Sequence, residues 1–182
     1  MIRAIGLVEF TSIARGIEVG DQMLKAADVE LITSAATCPG KYITLIHGDV
    51  AAVENSVNTA VRLGGEFLVD HLIIPNVDEQ IFPAITGVTN VDTVRAIGVI
   101  ESFSIASLIV AADACVKAAS VDLLELRIGS GIGGKSYVIM TGDVSDVNAS
   151  VKAGVEIIKD TGNIVCHTVI PSPHANFKKT LL

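Results

Sequence analysis

Two short stretches carry the residue types best suited to chemistry: Cys38-Pro39-Gly40-Lys41, and Gly129 to Ser136, which reads GSGIGGKS. A cysteine can act as a soft metal ligand or a nucleophile, in both cases as the thiolate. A reactive thiol needs a neighbouring Arg or His to stabilise that thiolate, and none is evident beside Cys38. The commonest fate of a single cysteine is simpler, a small packed hydrophobe. The second stretch matches the phosphate-binding pattern G-x-x-x-x-G-K-[ST] letter for letter. Such a loop must open directly into a helix whose N-terminus faces the anion. Here it opens into YVIMT, a strand-like segment, so the context for nucleotide binding is missing and a glycine-rich hairpin is expected. No acid–base pair, triad or metal-ligand cluster is evident within one chain, which argues against a conventional enzyme.

The elements that must hold these loops come in two copies. RAIGLVEFTSIARG at 3–16 aligns with RAIGVIESFSIASL at 95–108, and LKAADVELI at 24–32 with VKAASVDLL at 116–124. GKYITLIHGDVAAVENSV at 40–57 aligns with GKSYVIMTGDVSDVNASV at 134–151, and HLIIP at 71–75 with HTVIP at 167–171. The order is the same in both halves, a tandem duplication with domains at 1–91 and 92–182. Each copy reads strand, helix, strand, strand, helix, strand, an α+β unit with helices on one side of an antiparallel-rich sheet. Ser12 can cap the first helix, and Asp49 and Asp143 the helices after the GDV sequences. In the first helix Ile13, Ile17, Gly20, Leu24 and Ala27 share a face, as do Ile105, Ile109, Ala112, Val116 and Ala119 in its copy. VDLLELRI alternates Leu124, Leu126 and Ile128 with Glu125 and Arg127, a half-buried strand. Cys115 aligns with Met23 on an apolar helix, a packing position; Cys166 aligns with Asp70 and has no assigned role. His71 and His167 are equivalent, hence structural, and His47 has no carboxylate partner in the pattern.

Composition limits the partners. The 182 residues are 50% hydrophobic, with 4% aromatic and no Trp. Mean hydropathy is +0.58. Two small domains have limited interior for that apolar mass, so tight packing against copies of the same chain is expected. A net charge of −7 with no basic tract removes the driving force for nucleic-acid binding. No run reaches the ~18 apolar residues of a membrane span. MIRAIGLVEF lacks a signal-peptide layout, so a non-secreted, cytoplasmic setting is expected, in which three scattered cysteines form no disulfide framework.

The doubled set AIGLVE, KAADVEL, GDV and AIGVIE, KAASVDL, GDV resembles bacterial microcompartment shell (BMC) domains. Two in tandem resemble the trimeric tandem-domain class. With TCPGKY, the glycines of the second loop and GDVSDVN, the pattern is most similar to T-type shell proteins of propanediol-utilisation microcompartments. The resemblance implies a pseudohexagonal homotrimer that tiles into a shell facet with other shell proteins, localised to a microcompartment. It implies an iron–sulfur cluster at the central three-fold pore, held by Cys38. Pro39, Gly40, Gly131, Ile132 and Gly133 would line that pore. It places Lys25 and Lys117 at the hexagon edges, as lattice contacts between tiles.

A three-fold axis turns one cysteine per chain into three equivalent thiolates. A [4Fe–4S] cubane, shared between three chains, has a three-fold axis through one corner; three thiolates hold three irons and leave the fourth open. A cysteine in both loops would bring six to the axis, too many for one cluster, whereas glycines let backbone approach without crowding. Pro39 fixes φ beside the thiol. The N–H groups of Gly40 and Lys41 are candidate donors to cluster sulfides. The implied role is electron transfer across the shell, with encapsulated redox enzymes as possible partners. Two alternatives stay open: a metabolite-conducting pore lined by Cys38 without a cluster, and an oligomeric effector-binding regulatory module.

Overall fold

Alternating apolar runs broken at Gly and Ser produce the same element order twice. The first copy contains β1 (Ala4–Phe10), α1 (Ile13–Ala26), β2 (Val29–Thr37), β3 (Lys41–Gly48), α2 (Val50–Gly64) and β4 (Leu68–Pro75). A short helix α3 (Ile81–Thr86) follows. The second contains β5 (Ala96–Ser102), α4 (Ile105–Ala118), β6 (Val121–Ile128), β7 (Ser136–Gly142), α5 (Val144–Ile158) and β8 (Ile164–Ile170), then α6 (Ala175–Lys178). The computed structural model describes residues 4–129 and 131–181. The chain divides into two units, residues 1–77 with 130–134, and residues 78–129 with 135–182.

Each unit has one four-stranded antiparallel sheet, ordered β2-β3-β1-β4 or β6-β7-β5-β8. The copies share detail as well as order. Ser12 and Ser104 accept from the N–H groups of Arg15 and Ser107, capping α1, as the position of Ser12 predicts, and α4 in the same way. Buried Ser56 donates to the Met23 carbonyl, and Ser150 to that of Cys115, so each second helix is pinned to the first by one hydroxyl. β2 and β6 both slip register after Leu31 and Leu123. The bulge interrupts the strict alternation read from VDLLELRI, and Leu123, Leu124 and Leu126 are all buried.

Three expectations are corrected. Asp49 and Asp143 occupy the N-cap positions without a side-chain capping bond; the Asp143 carboxylate instead binds Arg95 at 2.6 Å. His47 does face a carboxylate, with Glu30 at 3.6 Å. The stripe Ile13, Ile17 and Leu24 is not the packed face of α1; those residues are 43%, 55% and 40% exposed. The packed face is Gly16, Val19, Gly20 and Met23. A Cβ at Gly16 would come within 2.6 Å of Tyr42, and one at Gly20 within 2.9 Å of Thr44. Small residues let the helix lie directly on β3, which turns its large side chains outward.

Candidate functional site

The two Gly-Lys loops are the tips of the β2–β3 and β6–β7 hairpins. In the first, Thr37 closes the strand, Gly40 has φ +92°, and the Gly40 N–H donates to the Thr37 carbonyl at 2.9 Å, so it is used within the turn and is not the free donor to a sulfide that the sequence suggested. Cys38 lies between, half-buried and free, with a cis bond to Pro39. In the second, Gly129, Gly131, Gly133 and Gly134 all have positive φ, between 65° and 80°. That conformation is open to glycine and strained for other residues, so the coil of this loop requires its composition. No helix follows the loop; β7 does, which removes the phosphate-loop reading.

The structure brings part of both loops together. Residues 131–134 belong to the first unit, and a Cβ at Gly134 would lie 2.9 Å from Pro39 Cδ and 3.1 Å from the Cys38 carbonyl oxygen. Only a glycine lets the backbones meet. Gly131, Ile132 and Gly133 form the turn beside that contact, with open space around a Cβ at Gly131 or Gly133. Lys25 and Lys117 lie elsewhere, in the last turns of α1 and α4, paired with Asp21 and Asp113.

Sequence reading missed the braces at the hairpin bases. Lys41 reaches Glu9 at 3.1 Å, and Lys135 reaches Glu101 at 2.6 Å. These are the same pair in each copy, the lysine of Gly-Lys and the glutamate of the first strand. Their equivalence in the repeat was the available signal. Glu9 is 2% exposed, and burial raises its pKa above 4.5 against the opposing effect of Lys41. Thr37 was also missed. Its hydroxyl is buried, one residue before Cys38, and has no hydrogen-bond partner in the chain. Such orphans are rare in folded proteins and call for a partner.

A thiol at an exposed turn, flanked by an unsatisfied hydroxyl and glycine backbone, suits a soft ligand offered to something outside the chain. Among the described residues no group of three or more His, Cys, Asp or Glu could hold a metal ion within one chain. A centre at Cys38 therefore requires other chains to supply further ligands. Cys115 is different: it is fully buried under Gly154, and desolvation pushes its thiol up to about 12. It is a packing residue. Cys166 is exposed on β8.

Comparison with known proteins gives one family. The BMC domain model matches residues 4–77 and again 96–173. The bacterial microcompartment shell protein PduT of Citrobacter freundii is 44% identical over 182 residues, covering 100% of this chain and 99% of that protein. A crystal structure of a microcompartment protein from Desulfitobacterium hafniense superposes with TM-score 0.91 at 52% identity, covering 98% of this chain and 99% of the other. A fused permuted hexameric shell protein of the RMM microcompartment shares the fold, with TM-score 0.64 at 23% identity.

Proposed function

The chain belongs to the BMC-domain family as a tandem pair and is a microcompartment shell protein, and we propose that it forms a three-chain ring with an iron–sulfur cluster on its axis. The observation that carries the cluster is the Cys38 turn. One thiol per chain stands at an exposed tip, beside the buried, unpartnered Thr37 hydroxyl and the glycine backbone of the second loop. Those residues fit the group: Cys38 would be its ligand, Gly134 keeps the loop close, and the Lys41–Glu9 pair braces the stem. A bound cluster supplies one-electron chemistry at the shell, so electron transfer across the facet is the proposed role.

Two open surfaces support the ring. The outer face of α1 exposes Ile13, Ile17 and Leu24, whereas Ile105 and Ile109, equivalent to the first two, are 1% and 0% exposed. On the second sheet, a cavity of about 310 Å³ opens over Val99, Glu101, Tyr137, Cys166, His167 and Thr168. The equivalents of Val99 and Glu101 are Leu7 and Glu9, at 0% and 2%. Each unit thus leaves open a surface that its sister has closed. Surfaces of different kind make a heterologous, head-to-tail contact, which generates a ring where the rotation closes and a filament where it does not. Three chains place six similar domains around one axis and repeat Cys38 three times.

The test is iron and acid-labile sulfide per trimer after anaerobic purification, beside Cys38→Ser. Near-stoichiometric cluster content, lost in the variant while the trimer persists, is the expected result. A trimer without iron after reconstitution would overturn the cluster and leave a pore.

A further inference from the structure

The segment after β4 behaves as a strap on the second unit. Its Gln80 side chain mimics a strand: Nε2 donates to the Val121 carbonyl at 3.1 Å, and Oε1 accepts from the Leu123 N–H at 3.0 Å. β6 is the edge strand of its sheet, and this amide closes part of that edge. The Asp78 N–H donates to Asp113 at 2.9 Å, and Ile81 is buried at 1%. Under the strap Leu123 is also 1% exposed.

On the first unit the same edge is bare. β2 is the edge strand, and among the described residues no side chain takes the place of Gln80 on it. Leu31, equivalent to Leu123, is 47% exposed, and Leu24 on α1 is 40% exposed. Asp21, equivalent to Asp113, is present.

The segment after β8 repeats the features of the strap. Counted from the shared Ile-Pro, Gln80 and Asn176 are both amides, Ile81 and Phe177 are both apolar, and Asp78 corresponds to His174. Yet α6 is not packed: His174, Asn176 and Phe177 are exposed, Phe177 at 50%. Leu181 returns to the core of its own sheet with Val91 and Leu124, so residues 172–180 form an arc held at both ends. The charges also match. The arc carries His174, Lys178 and Lys179, whereas Asp28 and Glu30 stand at the start of β2; Asp21, on α1, is paired with Lys25.

We propose that the 172–180 arc of one chain straps the β2 edge of a second copy, as residues 78–86 strap β6. Asn176 bridges the Val29 carbonyl and Leu31 N–H, Phe177 covers Leu31 and Leu24, and the His174 N–H meets Asp21. The proposal rests on ring assembly and adds to it a defined latch: the edge of the first unit is incomplete without another chain. The partner is a second copy because the arc repeats the amide and the apolar residue of the filled edge in the same order and spacing, and adds basic groups that suit the acidic residues Asp28 and Glu30.

The experiment is a double-cysteine cross-link in the full chain, Leu31→Cys with Phe177→Cys, in a Cys38→Ser, Cys166→Ser background. Both new positions are exposed, so folding is preserved. Sedimentation first establishes the oligomer, then mild oxidation is followed on non-reducing gels. A covalent ladder reaching three chains, absent from either single variant, is expected. A trimer giving no interchain product, or a bond within one chain, overturns the latch and leaves the ring reading intact. A monomer overturns both. Asn176→Ala supplies a second readout: exchange of the Leu31 amide in the trimer rises about tenfold, and unchanged exchange counts against the bridge.

Discussion

The helices α1 and α4 occupy the same place in the two copies and share their cap, their Asp-x-x-x-Lys pair and their hydroxyl pin, yet they differ in what surrounds them. α4 is buried on most of its circumference, including Ile105, Ile109 and Ala112, whereas α1 buries a narrow strip and exposes its large aliphatic residues. The lesson is that duplicated sequences need not do duplicated work. One copy buries its apolar helix face, and the other leaves the same face exposed, where the proposed ring would cover it.

The largest effect is expected from charging that face. Ile109→Asp puts a carboxylate into a dry core and unfolds the second unit; even Ile109→Ala costs about 2–5 kcal/mol. Ile17→Asp leaves the chain folded by circular dichroism but shifts sedimentation from three chains to one. If Ile17→Asp also unfolds the chain, the distinction between the helices is wrong.

The loops give the next contrast. Gly134→Ala must adopt φ +80° against Pro39 and Cys38, whereas Gly131→Ala has similar φ but open space. Each loses about 1–2 kcal/mol from the left-handed backbone. Gly134→Ala loses more, and on the proposed reading it also lowers the occupancy of a cluster at Cys38; urea unfolding and iron analysis measure the gap.

Gln80→Ala removes both edge bonds on β6 and costs about 1–2 kcal/mol, since each net hydrogen bond is worth about 1. Lost exchange protection at Leu123, with no change at Leu31, checks it.

The smallest effect concerns the braces. The folded pKa of Glu9 is raised, so its contribution to stability is fully present below its unfolded value, near 4.5, and is lost as pH rises through the folded value. Glu9→Gln removes that slope and keeps an acceptor for Lys41. Lys41→Met moves the fall to higher pH. Unfolding free energies at several pH values test both.

Much of this was legible in the residues. Repeated strings of matching order reveal the duplication. Ser12 announces its helix because a cap is a local bond. The strand after GSGIGGKS rules out a phosphate loop because the anion site needs a helix in the next residues. The Cys38 turn stands out because its sister lacks the thiol. Local chemistry at short range, repeated twice, was enough for the fold and for placing Cys38 in a hairpin.

Tertiary structure decided the rest. Periodicity finds an apolar stripe but not whether it faces a sheet or a partner; Gly16 and Gly20 settle that by letting α1 lie on Tyr42 and Thr44. The contact of Gly134 with Pro39, separated by 95 positions, depends on where two hairpins end. So does the strap, since Gln80 acts only where chain topology brings it to β6. Sequence alone determined which residues could cap, turn or ligate, because those properties belong to single residues and their neighbours. Which faces were closed and which left open was set by contacts between distant segments, and these no local pattern encodes.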